Sequence, residues 1–484
     1  MLCSSRRFRA LRLGCLMAVG IGLLAGSAEA QAPVPPARAQ QFVGVGSCAA
    51  AGCHGGDGSR KHADGSVNFS STSFSTWVQQ DPHSRAYDVL LNERSRKMVR
   101  QLGAGWQAAH QEQRCLVCHS SLEPGAAMPA SDELLLDGVS CESCHGPAEK
   151  WLIPHTEHTW REGRSKGERT SLGFVDLRTD LALRGQTCAK CHVGGPGRDV
   201  NHDLLAAGHP RLNFELSAYH ANLPAHWDIK HDEGAFPSPG QPQGSALEAR
   251  LWVVGQLTTA EAALKLLEAR AAAATTAPWP EFSEYGCFAC HHDLQAPSWR
   301  QQNPVSGRIP GRYPWGTWNY SLLTILDPAP TASPLGEALK GLEKTLGRPL
   351  PVASEVLTQS KVARGLMAAE LARYNAPDSL TAERIRQLLQ RVTHDGQKLS
   401  ERDWDAAAQV YLATAALHQG RLQATGQVAD QQVIATLETL RGQLQFPQPP
   451  EAPAELSSPR NFDAKRIIVI RAQLQKLEKL IQRP

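Results

Sequence analysis

Gly138-Val-Ser-Cys141-Glu-Ser-Cys144-His145-Gly-Pro147 is the stretch from which the rest of the chain can be read. Two thiols stand two residues apart and a histidine follows the second, the pattern C-x-x-C-H. It recurs at Cys115-Leu-Val-Cys118-His119, Cys188-Ala-Lys-Cys191-His192 and Cys287-Phe-Ala-Cys290-His291. A stretched copy, Cys48-Ala-Ala-Ala-Gly-Cys53-His54, separates its thiols by four residues. Each thiol pair suits thioether bonds to the two vinyl groups of one haem, and the adjacent histidine then gives the iron its proximal nitrogen. The expectation is five covalently bound haem c groups, four from the regular motifs and one from the stretched motif. Their proximal ligands would be His54, His119, His145, His192 and His291. Zinc ribbons have no need of a histidine after every pair, and disulfides within such short loops would constrain almost nothing.

The remaining two of the 12 cysteines, Cys3 and Cys15, fall in a segment that reads as a signal peptide. Arg6, Arg7, Arg9 and Arg12 form its charged start, an apolar run extends from about Leu13 to Leu24, and Ala28-Glu29-Ala30 supplies a small-x-small cleavage site. The apolar run is short for a bilayer span, and no other is long enough. A periplasmic protein without a membrane span after cleavage near Ala30 is expected. The chain has 50 basic and 47 acidic residues, and removing residues 1–30, with four Arg and one Glu, balances them. Haem propionates would then make the loaded protein acidic. That charge speaks against nucleic-acid binding and for docking to redox partner proteins.

Along the chain, residues 31–40 read as a disordered leader. Residues 41–232 hold four motifs and many His, Gly and Pro, and a Pro/Gly-rich break follows at 234–244. Residues 246–330 combine a helix at about 246–273 with the last motif. That helix carries Leu247, Leu251, Val254, Leu257, Leu264 and Leu267 on one side. From 331 to 484 the chain has no cysteine. It shows amphipathic helices at about 335–346, 353–374, 380–394, 402–418, 428–444 and 461–482. In the last of these, Ile467, Ile470, Leu474, Leu477 and Ile481 make a heptad-like seam, which is more often plain core than an interface. The fold class is therefore mainly α: a loop-rich multihaem region followed by a helical bundle.

What the irons do depends on their sixth ligands. Thirteen histidines remain beyond the proximal five. His394 and His418 each precede a glycine at an expected helix end and are read as partners of the helix dipole. The rest outnumber the irons, which points to mostly bis-histidine haems. The distal candidates are His83 in Trp77-Val-Gln-Gln-Asp-Pro-His-Ser-Arg-Ala-Tyr87; His155 and His158; His202 and His209 in Asn201-His-Asp-Leu-Leu-Ala-Ala-Gly-His-Pro-Arg211; and His220, with His226 nearby. His62, His110 and His231 are more readily solvated or hydrogen-bonded side chains, and His292 must point away from His291, where it could reach a neighbouring iron.

At these residues the chain resembles the cytochrome c-554 family, tetrahaem electron carriers that serve hydroxylamine oxidoreductase. The resemblance rests on the first motif followed by Trp77 and His83-Ser-Arg-Ala, then Cys115-Leu-Val-Cys118-His119, Gly138 to Pro147, and Cys188-Ala-Lys-Cys191-His192. It spans about residues 41–230. It implies a compact helical fold with closely stacked haem pairs. It also implies distal ligands at His83, at His155 or His158, and at a later histidine such as His209, with an open axial position at the second haem, on His119. The stretched first motif, the fifth motif and the cysteine-free helices depart from the family. The leading expectation is a periplasmic pentahaem electron-transfer protein. The runner-up is a redox enzyme for a small nitrogen or sulfur oxide, working at an open haem on His119. A third reading is a subunit docked through its bundle to a membrane partner.

Overall fold

The computed structural model describes residues 41–62, 64–129, 132–178, 180–227, 246–287, 290, 312–326, 333–376, 378–445 and 464–482. The expected signal segment and leader, the break at 234–244, and His231, His291 and His292 lie outside them. Among the described residues there are helices and three isolated bridges but no strand, so the chain is mainly α.

In the first half the helices are short and end on the motifs. The second motif closes Gln113–His119, the third is the helix Cys141–His145, and the fourth closes Leu181–His192. Residues three apart on a helix lie on one face, so winding C-x-x-C into a turn aims both thiols the same way. The first motif does not fit one turn. Its chain leaves the 3-10 turn Val45–Cys48 and makes a tighter loop, in which the amides of Cys53 and Gly55 both bond the Ala50 carbonyl. A Cβ on Gly55 would lie 2.0 Å from the Ala49 carbonyl oxygen, which is why the stretched motif is followed by a residue without a side chain.

The helix Leu247–Ala272 joins the halves. It packs on Leu181–His192 on one side and on Ala353–Asn375 and Trp404–Thr425 on the other. Its apolar residues do not form the single stripe expected from the sequence. Leu251, Trp252, Val253, Val254 and Leu257 are all fully buried, because neighbours surround the helix. A helix apolar all round belongs in the interior, and each such side chain contributes about 1.5–3 kcal/mol when removed from water.

The cysteine-free helices are Pro334–Leu346, Ala353–Asn375, Ala382–Leu399, Trp404–Thr425, Gln431–Leu444 and Ala464–Ile481. In the last, Ile467, Ile470, Leu474, Leu477 and Ile481 are buried, and that helix packs on Ala382–Leu399 and Gln431–Leu444. Two expected helix ends are corrected. His394 and His418 lie inside their helices, which run on through Gly396 and Gly420 to Leu399 and Thr425. Gly420 marks a crossing, since a Cβ there would sit 2.4 Å from that of Ala249. His394 pairs with Glu478 at 3.0 Å. No described helix is long and apolar enough to cross a membrane.

Candidate functional site: imidazole pairs beside the cysteine motifs

Three of the motif histidines each face a second imidazole from a distant part of the chain. The rings of His54 and His155 are stacked, with centroids 6.2 Å apart and planes 11° apart. His192 faces His83 at 5.8 Å and 80°. His119 faces His209 at 6.4 Å and 80°. Metal–imidazole bonds are about 2 Å, and a ring centre lies about 1 Å beyond its nitrogen. Two imidazoles on opposite sides of one metal therefore have centroids roughly 6 Å apart, the spacing seen here.

The second ring nitrogen is occupied in a consistent way. Nδ1 of His54 bonds the Ser70 carbonyl at 2.6 Å, that of His119 the Ala86 carbonyl at 2.9 Å and that of His145 the Val175 carbonyl at 3.4 Å. His155 bonds Leu152, His209 bonds Pro210 at 2.8 Å and His226 bonds Pro224 at 3.3 Å. A carbonyl oxygen only accepts, so each Nδ1 carries the proton and each Nε2 keeps its lone pair. His83 does the same with the carboxylate of Asp81, at 2.9 Å. Ligands of a metal centre are characteristically oriented this way.

Burial favours the neutral form of six imidazoles here, as a ligand must be neutral. It pushes His145 and His192 down to about 4 and lowers His119, His155, His209 and His226. His83 goes the other way, raised by its hydrogen bond to Asp81. Burial alone would raise Asp81, but its bonds with His83 hold it below the usual carboxylate range.

The thiols show how the motifs lie relative to one another. Cys48 and Cys141 are within hydrogen-bonding reach, as are Cys118 and Cys191. Cys144 is close enough to Cys188 and Cys191 to feel their charge. The first motif thus adjoins the third, the third the fourth, and the fourth the second. Desolvation pushes the Cys115 and Cys188 thiols up to about 11 and Cys144 to about 12, the setting of thiols enclosed in apolar surroundings.

The other candidates divide clearly. His158 is exposed. His202 has its ring 5.9 Å from that of Phe282, and its amide bonds Glu281 at 2.8 Å, so it sits beside the segment entering Cys287. His220 has its Nε2 2.9 Å from the Arg184 guanidinium, which occupies the nitrogen a metal would use. Its neighbour His226, named beside it in the sequence reading, is half-buried close to His83 and His145. No local signal ranks His226 above His220; the fold separates them. His110 borders a cleft with Leu90, Val99 and Arg100. The expected proximal histidine of the fifth motif, His291, lies outside the described residues.

The donor set therefore fits haem: paired thiols on helical turns, neutral imidazoles with free Nε2, and facing rings at the spacing of two axial ligands. No curated protein and no solved structure matches the chain. Residues 50–146 match the family described as cytochrome c554 and c-prime, a span that takes in Cys53-His54 and the whole of the second and third motifs. Over that segment the chain is cytochrome c-554-like, and the match supports a c-type cytochrome with covalently bound haem c.

Proposed function

We propose that this is an exported, periplasmic pentahaem cytochrome that moves electrons through bis-histidine haems to redox partner proteins. The observation that carries the reading is the set of three facing imidazole pairs, in which five of the six rings, those of His54, His155, His119, His209 and His83, have Nδ1 bound to an oxygen acceptor. His54 pairs with His155, His119 with His209, and His192 with His83. For the third site we assign His226 opposite His145, and His202 is our candidate for the distal ligand of the fifth haem.

Haem supplies a one-electron couple when bound. The chain's own residues determine how that couple behaves. Two strong nitrogen donors per iron favour electron transfer over substrate binding. Asp81 makes His83 the most electron-donating of the distal imidazoles, which favours the oxidised state at the fourth site. The thiol contacts support the spatial order first, third, fourth, second. Arg211, two residues after His209, feels the charge of Cys287, which supports a fifth site beside the second. Electrons would cross the protein along that line.

The imidazole of His209 opposite His119 supports a closed second haem, where the family resemblance implies an open one. The test is a pyridine haemochrome count followed by EPR of the oxidised holoprotein with and without cyanide. Five haems, all low-spin and indifferent to cyanide, uphold the proposal. A high-spin iron that binds cyanide favours the enzyme reading instead.

A further inference from the structure

The segment carrying His209 is pinned at three points. Behind it, the Gly208 carbonyl accepts from the Arg94 guanidinium at 2.7 and 3.1 Å. Within it, Arg211 makes two parallel bonds to Asp405, at 2.8 and 2.7 Å. Beyond it, the Phe214 carbonyl accepts from the Trp318 indole at 2.9 Å. Two of these anchors, Asp405 and Trp318, belong to the C-terminal half, far beyond the residues that match the family.

Asp405 is well placed for such a role. It lies in the first turn of Trp404–Thr425, with a side chain only 3% exposed. The same helix start is fixed independently: Asp403 caps it through the Ala406 amide and accepts from the Thr317 hydroxyl at 2.7 Å, and Trp404 stacks on Trp318. A two-pronged arginine–carboxylate pair fixes orientation as well as distance. With Arg211 held, Pro210 stiff and Gly208 tied, the imidazole of His209 has little freedom to leave its place opposite His119.

We infer that the C-terminal helices close the second haem. Asp405 acts as a positioning residue that, through Arg211, keeps His209 on the iron and shuts that site to small molecules. This rests on the assignment of His209 as the ligand opposite His119.

The experiment compares holoproteins of the parent chain, His209→Ala, Asp405→Asn, Asp405→Glu and the double variant Arg211→Met/Asp405→Leu. The readouts are the high-spin ferric EPR signal and the rate of cyanide binding. His209→Ala defines the spectrum of the open second haem. Asp405→Asn and the double variant are expected to show that same spectrum in part of the population, with cyanide binding faster on the order of tenfold or more, since cyanide takes only the open fraction. Asp405→Glu, which keeps the carboxylate, stays closed. The double variant leaves neither charge buried without a partner, so it carries the test if Asp405→Asn fails to fold. If His209→Ala opens the haem but both the Asp405→Asn and the double variant stay closed, the inference is overturned and the ligand assignment stands. If the parent chain already has an open second haem, the ligand assignment fails and the inference with it.

Discussion

His54 and His155, 101 positions apart in sequence, stack with their ring planes only 11° from parallel, whereas the pairs His83/His192 and His119/His209 are crossed at 80°. Parallel axial imidazoles give a low-spin ferric haem an ordinary rhombic EPR signal, and crossed ones a signal with one much larger g value. The oxidised holoprotein should show both kinds. Replacing His155 with Ala should remove the rhombic signal assigned to the first site and leave the large-g signals in place. Loss of a large-g signal in that variant would break the assignment.

The third site separates two neighbouring histidines. His226→Ala should turn one low-spin haem high-spin, because it removes the ring assigned opposite His145. His220→Ala should leave every haem low-spin, since the Nε2 of His220 is held by Arg184. The reverse result in paired EPR spectra would exchange their roles.

Haem count is checked by removing thiols. A Cys48→Ser/Cys53→Ser variant should fall from five haems to four by pyridine haemochrome, and so should Cys287→Ser/Cys290→Ser, with one motif lost in each. An unchanged count in the first variant would mean that the stretched motif holds no haem.

Glu215 gives a pH dependence of stability. It is buried and caps Leu216–Asn222 by accepting from the amides of Ser217 and Ala218. Burial raises its carboxyl to about 7 from the ordinary value of 4.5. The folded state therefore holds this proton more tightly than the unfolded state. The stability this adds is full below about pH 4.5 and is lost as pH rises through about 7, an effect of about 3 kcal/mol at most. Denaturant titrations should find this contribution falling between pH 5 and pH 8. Glu215→Gln, which keeps an acceptor for the two amides, should flatten that part of the profile; an unaltered profile would exclude Glu215 as its source.

The crossing at Gly420 predicts a purely structural effect. Gly420→Val would force Trp404–Thr425 away from Ala249 and should cost about 1–3 kcal/mol of stability. The haem spectrum of the folded fraction should not change. A thermal midpoint equal to the parent's would contradict the close packing.

What could be read from the sequence follows from how local each determinant is. The motifs are legible because covalent attachment needs thiols and histidine side by side, and the bundle helices because 3.6-residue periodicity is local. Pairings such as His54 with His155 depend on chain folded across 101 positions. The groups that orient the rings are mostly main-chain carbonyls, of Ser70, Ala86, Leu152, Val175, Pro210 and Pro224, and every residue type carries one. Sequence therefore cannot rank His226 over His220. It also misplaced the role of Gly396 and Gly420, because a glycine that ends a helix and one that lets two helices touch look alike. The surrounding of Leu247–Ala272 on every side was hidden for a similar reason: its small and polar members, such as Thr258 and Gln256, are buried with the leucines.

The contacts of Cys48 with Cys141 and of Cys118 with Cys191 bear on how the molecule is made. If the bare polypeptide collapsed to this arrangement in an oxidising compartment, thiols from different motifs would meet and cross-link, and those sulfurs could no longer be used for ligation. These contacts favour a sequence of events in which each porphyrin is fastened to an open, reduced chain before that chain condenses. Polypeptide made without haem and held under oxidising conditions should accumulate Cys48–Cys141 and Cys118–Cys191 bridges, visible by peptide mass spectrometry, and should not take up haem added later until they are reduced.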